Sequence, residues 1–529
     1  MAFSDILYPP GATRLNHKVA AALFLILFST QMTLTSPFSY LPAMVSSFGY
    51  SDRQRGTYAG MIASSLFVGR FFGGYFWGWL TDKIGRRPVL LISASLTYFA
   101  TIAFGFSTNF YFAVITRFLQ GLFNGVIVCG RAAFAEICDD TNQAIGVSLV
   151  FAAWNSAIVI GPALGGFLAQ PVMKYPNSFK GSAATFFTKF QFLLPSILVA
   201  GVLLISIIFI FIVVEETKPT SLLETSDNVH LLLSEDNENE TDDVIFMKEM
   251  SSSDEENAKQ KNERETINDT EDEQQQRKNT NNKETKCNPC TSIKSWSIYE
   301  LMTDKIVMLV IIMFGISGFC IIGFSELSSL WLATKVIYGG LGFTTDKIGI
   351  TLLVPAIVAA VLQPILFSRC ERRFGGIITA RISLVILFMM TAMYPNIHNA
   401  YKHTALLWTL LIVMGLIRMI ADISSRSALA LFINNSVYQD QAGRVNGLAF
   451  SIQEIMRVAS PTLFGSMFSW SINAEEHKVF FPIDYRLPFM VLSAFILVIF
   501  TMSFFLPRRI NSAKLSYTNN KLEMSDTDS

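Results

Sequence analysis

The distribution of hydrophobic and polar positions divides the chain into long apolar stretches joined by short polar connections. A helix needs about 20 apolar residues to cross the hydrocarbon core of a bilayer. Twelve stretches are long enough, so the pattern predicts an all-α, polytopic membrane protein with twelve transmembrane helices. The predicted spans cover residues 19–45, 57–80, 88–107, 110–134, 144–170, 191–214, 303–334, 346–368, 376–394, 404–432, 445–470 and 486–506.

Related sequence patterns occur in the two halves of the chain. Arg131-Ala-Ala-Phe-Ala ends the fourth predicted span, and Arg426-Ser-Ala-Leu-Ala ends the tenth. Gly161-Pro162 lies in the fifth span, and Ser460-Pro461 lies in the eleventh. The two offsets, 426 − 131 = 295 and 460 − 161 = 299 residues, are nearly equal. They predict two six-helix bundles arranged as parallel repeats, a known plan of polytopic membrane proteins.

The spans and connections predict five regions along the chain. They are an N-terminus (1–18), a first six-helix bundle (19–214), an acidic linker (215–300), a second bundle (301–506) and a C-terminal tail (507–529). An even number of spans places the termini and the linker on one side of the membrane. Short loops on that side carry 16 Lys and Arg residues, against 10 on the other side. This bias predicts that the termini are cytoplasmic.

Composition and charge exclude several classes of protein. Hydrophobic residues make up 51% of the chain and charged residues 16%, whereas a soluble domain has about 25% charged residues. A soluble enzyme and a disordered chain are therefore excluded. The 41 basic and 41 acidic residues cancel, but residues 223–285 contain 7 basic and 19 acidic residues, a balance of 7 − 19 = −12. We expect this acidic segment to be disordered, because it cannot bury a core.

The acidic linker contains two short patterns typical of regulation. One has the spacing of an acidic dileucine signal, which would contact a sorting adaptor and direct the protein to a vacuolar or lysosomal membrane rather than the plasma membrane. The other is a serine run followed by acidic residues, which suits an acid-directed kinase. The alternative is a plain solvated connection between the bundles. The residues concerned are Asp227, Leu231, Leu232, Ser251, Ser252 and Ser253.

The connection between the second and third spans reads Gly78-Trp-Leu-Thr-Asp82-Lys-Ile-Gly85-Arg86-Arg87-Pro88. We expect Gly78 to allow a close helix approach and Gly85 to adopt the positive φ of a tight turn. Asp82 lies beside Arg86 and Arg87, so these charges can form a latch at the cytoplasmic side. The alternative is anchoring by positive charge alone. The segment resembles the loop signature of the major facilitator superfamily.

Two further motifs support that resemblance. Arg117 lies within the apolar fourth span, where a charge is costly and needs a cavity or a partner. In proton-linked members of the superfamily an arginine here is tied to coupling; structural pairing is the alternative. The fifth span contains Gly161-Pro162-Ala-Leu-Gly165-Gly166, which resembles the motif associated with superfamily antiporters. A packing kink without any influence on transport direction is the alternative for this motif.

Longer stretches resemble the zinc-induced-facilitator-like family of that superfamily. They include Gly69-Arg70, the segment from Trp154 to Pro176, Glu326-Leu-Ser-Ser-Leu-Trp331, and Gly465-Ser-Met-Phe-Ser-Trp470. The resemblance implies secondary transport linked to zinc tolerance, metal chelators, potassium or organic anions. Two departures argue against a metal-specific function: the Cys-Pro-Gly-Cys motif of plant members is absent, and the segment Glu215-Glu-Thr lacks the expected histidine.

Several other charges lie within predicted spans. Arg418, Asp422 and Arg426 are spaced i, i+4, i+8 on the tenth span, and Glu454 and Arg457 are spaced i, i+3 on the eleventh. Residues at these spacings are neighbours on one helix face. We predict that Asp422 and Arg426 form a structural salt bridge. A substrate or coupling role remains open for all five residues.

Glu326 has no charged partner on its own predicted helix. A carboxyl isolated in a dry site takes up a proton more readily than one in water. We therefore weigh a role as the site of protonation or cation binding against a pairing with Arg70 or Arg117. Arg70, Arg117 and Arg418 would together make a positive cavity suited to an anionic or chelated substrate.

These observations predict a secondary active transporter rather than an enzyme. A proton-coupled antiporter of a small organic anion, metal chelator or cation is favoured, working as a monomer in the lipid bilayer. We predict no cofactor, no metal site and no nucleic-acid partner. A multidrug-type proton antiporter is one alternative. A non-transporting membrane receptor or scaffold that acts through the acidic linker is another.

Overall fold

The computed structural model describes residues 13, 15–138, 142–215, 303–437, 442–473 and 483–511. The dileucine and serine residues of the acidic linker lie outside these ranges. The long helices are α1 His17–Thr35, α2 Arg55–Ile84, α3 Arg86–Gly105, α4 Phe110–Leu122, α5 Val126–Glu136, α6 Gln143–Leu168, α7 Leu193–Val213, α8 Lys305–Ala333, α9 Thr345–Phe374, α10 Gly376–Met393, α11 Thr404–Ser436, α12 Ala442–Asn473 and α13 Leu487–Met502. Shorter helices cover Leu41–Ser47, Pro171–Lys174 and Ser182–Lys189.

Each predicted span corresponds to helix in the structure, and α4 and α5 together form the fourth span. Among the described residues, nine helical segments are long and apolar enough to cross a membrane. The remaining spans are α2, α6 and α12. In α6 the described stretch Ala152–Leu168 is apolar but shorter than a full span, whereas α2 and α12 carry glycines and charges that face other helices.

Local sequence determines where several helices begin and end. The Asn16 side chain accepts a hydrogen bond from Lys18 N (3.1 Å) at the start of α1. The Asp304 carboxylate accepts one from Ile306 N (2.8 Å) at the start of α8. These side chains satisfy donors that the first helical turn leaves free. Gly375, with φ of 81°, ends α9, so Arg372 and Arg373 lie in the last turn of that helix and not in a loop.

The helices form two six-helix bundles, α1–α7 and α8–α13, which meet along two helix pairs. In each pair, α2 with α12 and α6 with α9, one helix comes from each bundle. We call the face where α1 begins and α13 ends the terminal face. There, Asn142 of the α5–α6 connection donates to Thr13 O (3.2 Å), and Asn435 at the end of α11 donates to Ile510 O (2.9 Å).

The bundles are closed at the face opposite the termini. A Cβ on Gly60 of α2 would collide with the Pro461 carbonyl of α12, and a Cβ on Gly465 would collide with the backbone of Gly56. Ser64 and Thr462 hydroxyls are also hydrogen-bonded across this contact at 2.8 Å. Backbone therefore meets backbone along this seam, as in other glycine-lined helix contacts.

The same helices diverge toward the terminal face. Gly78 lies 78 − 60 = 18 residues after Gly60, and Gly447 lies 465 − 447 = 18 residues before Gly465, which is five helical turns in each case. These glycines therefore share the faces that form the seam. A Cβ on Gly78 would meet only Val128 of its own bundle, at 3.9 Å, and one on Gly447 would meet nothing within 4 Å. The space between the bundles thus opens to the terminal face, and the expected close helix approach at Gly78 is absent from this structure.

The fourth span is broken, which the sequence analysis did not predict. Helix α4 ends at Leu122 and α5 begins at Val126. Trp77 of α2 packs its ring where a Cβ on Gly125 would lie, and its Nε1 donates to Leu122 O (2.7 Å). The indole thus replaces a helical partner for one carbonyl at the break.

Candidate functional site

The predicted latch residues lie at the terminal face of the first bundle. Gly85 has the expected positive φ, 92°, between α2 and α3. Arg86 Nη1 donates to the Asp82 carboxylate (3.0 Å) and to Thr81 O (2.7 Å). Its Nε donates to the Glu136 carboxylate at the end of α5 (2.7 Å). The cluster therefore ties three helices of one bundle together, and Glu136 is a partner that the sequence analysis missed.

Arg87 reaches a different helix of the same bundle. Its Nη2 donates to Phe211 O of α7 (2.8 Å), and its guanidinium lies 5.6 Å from the centre of the Phe211 ring. Arg86 and Arg87 thus brace opposite sides of the α2–α3 turn. In this structure the contacts described for both residues lie within the first bundle.

The glycines of the fifth span form the thin packing surface expected from the sequence. A Cβ on Gly161 would collide with Thr35, and one on Gly165 would collide with Ser36 O at the end of α1. Gly166 instead faces the second bundle, where a Cβ would collide with Thr345 O of α9. The motif that contains Pro162 therefore holds α6 against α1 and against the other bundle at the closed face.

Glu326 of α8 is fully buried, with 0% of its surface exposed. Among the described residues, neither of its carboxylate oxygens has a hydrogen-bond partner. Arg117 of α4 is the cation whose charge acts on it. A buried carboxylate without a hydrogen-bond donor is costly in its charged form. Glu326 is therefore a candidate functional group, since most buried polar groups have a partner.

Arg117 already has partners. Its Nη1 donates to Thr33 O (2.7 Å) and to the Gln120 side chain (2.8 Å), and its Nη2 donates to Leu34 O (2.9 Å). These contacts hold α4 against the end of α1. Arg117 is thus both a structural group and the cation facing Glu326.

Arg70 of α2 is the opposite case. It is buried, and in the part of the chain that the structure describes all three of its guanidinium nitrogens lack hydrogen-bond partners. The charges of Glu454 and Arg457 act on it from α12. Arg457 and Glu454 form a salt bridge at 2.6 Å, so the structure contains the pair that the spacing on the eleventh span suggested.

The charges of α11 lie in the second bundle. Asp422 and Arg426 form the predicted salt bridge at 3.1 Å. Arg418 lies with its guanidinium carbon 3.1 Å from the centre of the Phe324 ring, an arrangement typical of a cation–π interaction. Arg418 therefore packs against α8 at Phe324, which lies two residues before Glu326 in the sequence.

A second polar cluster, missed by sequence reasoning, joins the bundles at the closed face. The Asp52 carboxylate pairs with Arg55 and with Lys335 of the second bundle, the latter at 3.1 Å. Arg55 Nη1 also donates to Ala333 O at the end of α8 (3.2 Å). No sequence pattern identifies such pairs, because their members are almost three hundred residues apart.

Lys174 makes the corresponding contact beside α6 and α9. Its Nζ donates to Gly166 O and to the Thr345 hydroxyl at 2.5 Å. Partial burial lowers the pKa of Lys174 to about 8, against the opposing influence of Asp346. A cavity of about 400 Å³ lies beside these contacts, lined from both bundles by side chains that include Ser47, Arg55, Gln170 and Phe343.

These features define a class: a multi-pass membrane protein of two helical bundles, with charged side chains buried where the bundles meet. The model of the Major Facilitator Superfamily matches residues 23–461, and the chain belongs to this superfamily of transporters, not to a family of enzymes.

Relatives with known names cover most of the chain. It is 29% identical over 465 residues to Protein ZINC INDUCED FACILITATOR-LIKE 1 of Arabidopsis thaliana, covering 87% of this chain and 85% of the relative. It is 30% identical over 471 residues to the Major facilitator superfamily multidrug transporter mfsB of Aspergillus fumigatus, covering 83% and 76%. The resemblance to zinc-induced-facilitator-like proteins is thus confirmed.

Solved structures confirm the fold. A bacterial homologue of the human lysosomal transporter Spinster, in an inward-facing and unoccupied conformation, superposes with a TM-score of 0.61 at 12% identity, covering 93% of this chain and 97% of that one. A D-xylose–proton symporter superposes with a TM-score of 0.59 at 15% identity, covering 94% and 99%.

Proposed function

We propose that this transporter is a proton-coupled antiporter that exchanges a small organic anion, metal chelator or cation for protons by alternating access. The main support for this proposal is the environment of Glu326, a fully buried carboxyl whose two oxygens have no hydrogen-bond partner among the described residues. Such a group is costly when charged and is suited to carrying a proton. Arg117 is the nearby cation that can stabilise the charged form once the proton leaves.

The arrangement of the bundles supports alternating access. One face is closed by a seam of backbone contacts, and the bundles diverge toward the terminal face. We propose that the terminal face is cytoplasmic, since the basic residues of short loops favour that side. The structure then represents the state open to the cytoplasm. Rocking of the bundles would separate α2 from α12 at the closed face and bring them together at the other.

Flux measurements with the full chain in proteoliposomes test this proposal. The solutes are carboxylate anions, metal chelators, potassium and cationic drugs, each measured with and without a pH gradient. We expect a gradient to drive uptake of one solute class, and Glu326→Gln to abolish this stimulation. Glu371→Gln, on the last turns of α9 and away from Glu326, is the control and retains it.

Each other outcome contradicts the proposal in a distinct way. Flux that ignores the pH gradient, or that remains stimulated in Glu326→Gln, excludes Glu326 as the coupling carboxyl. Gradient-driven flux of many unrelated cationic drugs favours the multidrug alternative, which the similarity to the Aspergillus transporter suggests. Absence of flux for every solute favours a receptor or scaffold.

A further inference from the structure

Buried donors without partners gather at one place between the bundles. They are Arg70 Nε, Nη1 and Nη2, Arg457 Nε and the Trp154 indole Nε1. Most buried donors in a folded protein have an acceptor, so a cluster of exceptions requires an explanation. These five atoms are N–H donors, and one acceptor of the cluster, Glu454 Oε2, also lacks a partner among the described residues. The donors outnumber this acceptor, so a group that completes the site must supply acceptors.

Helix geometry places Arg70 and Arg457 just on the terminal side of the closed seam, and the guanidinium carbon of Arg457 lies 4.9 Å from the centre of the Trp154 ring. The Ser64–Thr462 hydrogen bond joins α2 to α12 at 2.8 Å. Arg70 lies six residues further along α2, and Arg457 lies five residues back along α12, which corresponds to roughly 9 Å and 7.5 Å toward the terminal face. The charges of Arg70 and Arg457 act on each other.

A third arginine joins this cluster from α5. The guanidinium carbon of Arg131 lies 3.6 Å from the centre of the Phe450 ring of α12. The charges of Glu454, Arg457 and Arg70 all act on it. In the sequence Arg131 lies near the end of the fourth predicted span, a position typical of a basic residue that anchors a helix at the membrane surface. In the structure it connects the first bundle to the second.

The charges of the cluster do not balance. Arg70, Arg131 and Arg457 contribute three positive charges, and Glu454 contributes one negative charge, which is paired with Arg457 at 2.6 Å. The nearby Asp422 is already paired with Arg426. Among the residues that the structure describes, two positive charges are therefore left without a counterion at the junction of the bundles. Uncompensated charge within a membrane protein is costly and is a mark of function.

We infer that Arg70, Arg131 and Arg457, with the Trp154 indole, bind the carboxylate group of a small organic anion. Guanidinium groups match carboxylates through paired hydrogen bonds, and the aromatic faces of Trp154 and Phe450 shield the site. The inference rests on the proposed transport function and narrows its substrate to organic carboxylates. Glu326 then carries the proton, and these arginines bind the substrate.

Two other buried arginines are outside this site for structural reasons. The guanidinium of Arg117 is occupied by the carbonyls of α1, and Arg418 is balanced within the second bundle by the charge of Asp422, one helical turn away on α11. Because the proposed site takes residues from both bundles, a bound carboxylate would draw their terminal-side halves together. Substrate binding would thereby favour closure of the terminal face.

Ligand-induced thermal stabilisation of the purified full chain tests the inference without any pH gradient. The probes are succinate, tricarballylate and phthalate, compared with succinamide and 1,4-diaminobutane, which match succinate in length but are neutral or cationic. We expect at least one carboxylate to raise the unfolding temperature, and the amide and the diamine to have no effect. Failure of all three carboxylates, or equal stabilisation by the amide or diamine, overturns the inference.

Variants locate the binding. Arg70→Gln should weaken binding of the active carboxylate roughly thirtyfold or more, as expected when a buried charge loses its partner. Arg70→Lys should be intermediate, and Trp154→Phe, which removes only the indole donor, should also weaken binding. The control is Arg372→Gln, which removes an exposed arginine of α9. Unchanged affinity in both Arg70→Gln and Trp154→Phe would refute the site.

The proposal of proton coupling through Glu326 and the inference of a carboxylate site at Arg70 can be refuted independently. Glu326→Gln should keep carboxylate binding while it loses the response to a pH gradient. Carboxylate binding with gradient-independent flux would refute proton coupling and leave the arginine site intact. Gradient-driven flux of a solute without a carboxylate would refute the arginine site and leave coupling intact. If Arg70→Gln does not fold, Arg131→Gln and Trp154→Phe provide the same comparison.

Discussion

Arg117 shows how one residue can combine a structural and an electrostatic role. The Thr33 carbonyl of α1 would normally accept a hydrogen bond from the residue four positions later. That residue is Pro37, which has no N–H, and Arg117 donates to the carbonyl instead at 2.7 Å. The proline ends the helix, and an arginine from another helix satisfies the group that it leaves free.

Replacing Arg117 should therefore reduce stability as well as alter transport. We expect Arg117→Met to lower the free energy of unfolding by about 1–3 kcal/mol, because buried carbonyls lose their donor. Arg117→Lys should lose less, since one donor remains. Thermal unfolding of the purified variants in detergent measures this effect. An unchanged unfolding temperature in Arg117→Met would assign the residue to coupling alone.

At this scale the sequence identifies some site residues and misses others for a physical reason. Arg70, Arg117 and Glu326 are conspicuous because a charge within an apolar helix needs a partner. The sequence does not single out Arg131, because its position near a helix end is typical of a basic residue that anchors a helix at the membrane surface. Partners such as Glu136 and Lys335 are also missed, because only folding brings them to Arg86 and Asp52.

The helices α2 and α12 carry the contact between the bundles, and their glycines define where it forms. Contact is tight at Gly60 and absent at Gly78 on the same face of α2. Hydropathy predicts these spans to within a few residues, because the bilayer sets their length. It does not predict the break between α4 and α5, because that break depends on Trp77 from another helix.

A larger side chain at Gly60 should force the closed face apart. We expect Gly60→Val to lengthen the distance between spin labels at Ser178 and Ile337, exposed positions of the two bundles, in a background without the six cysteines. Electron–electron double resonance measures this distance. Gly74→Val is the control, because a Cβ on Gly74 meets nothing within 4 Å. Equal distances in Gly60→Val and the unsubstituted protein would show that the seam does not limit closure.

At the scale of the whole molecule, polar contacts outside the membrane core fasten the closed face. Lys174 and the Asp52–Lys335 pair both cross between the bundles. Burial in the closed state lowers the pKa of Lys174 to about 8. Opening would return the amine to water and restore its ordinary pKa of about 10.4. The closed state thus binds fewer protons than the open one at alkaline pH.

Alkaline pH should therefore favour closure of this face. Below about pH 8 the amine is charged in both states, and the closed state bears the cost of burying it. Between about pH 8 and the ordinary pKa of about 10.4 the closed state loses its proton first, so that cost falls progressively. We expect the population of molecules with longer distances between labels at Ser178 and Ile337 to decrease from about pH 7 to about pH 9.5. Lys174→Met should remove this dependence. If Lys174→Met showed the same pH response as the unsubstituted protein, the response would have to come from another titratable group.

The glycine seam also restricts which variants of the gene can be inherited without harm. A single-base change in a glycine codon that alters the amino acid always gives a larger residue. At Gly56, Gly60 and Gly166 every such missense change would place a side chain against the backbone of the neighbouring helix. At Gly74 and Gly447, by contrast, a Cβ would meet no atom of the described residues within 4 Å. Natural variation should accordingly be depleted at the first three positions and tolerated at the other two, although all five residues are glycines in spanning helices.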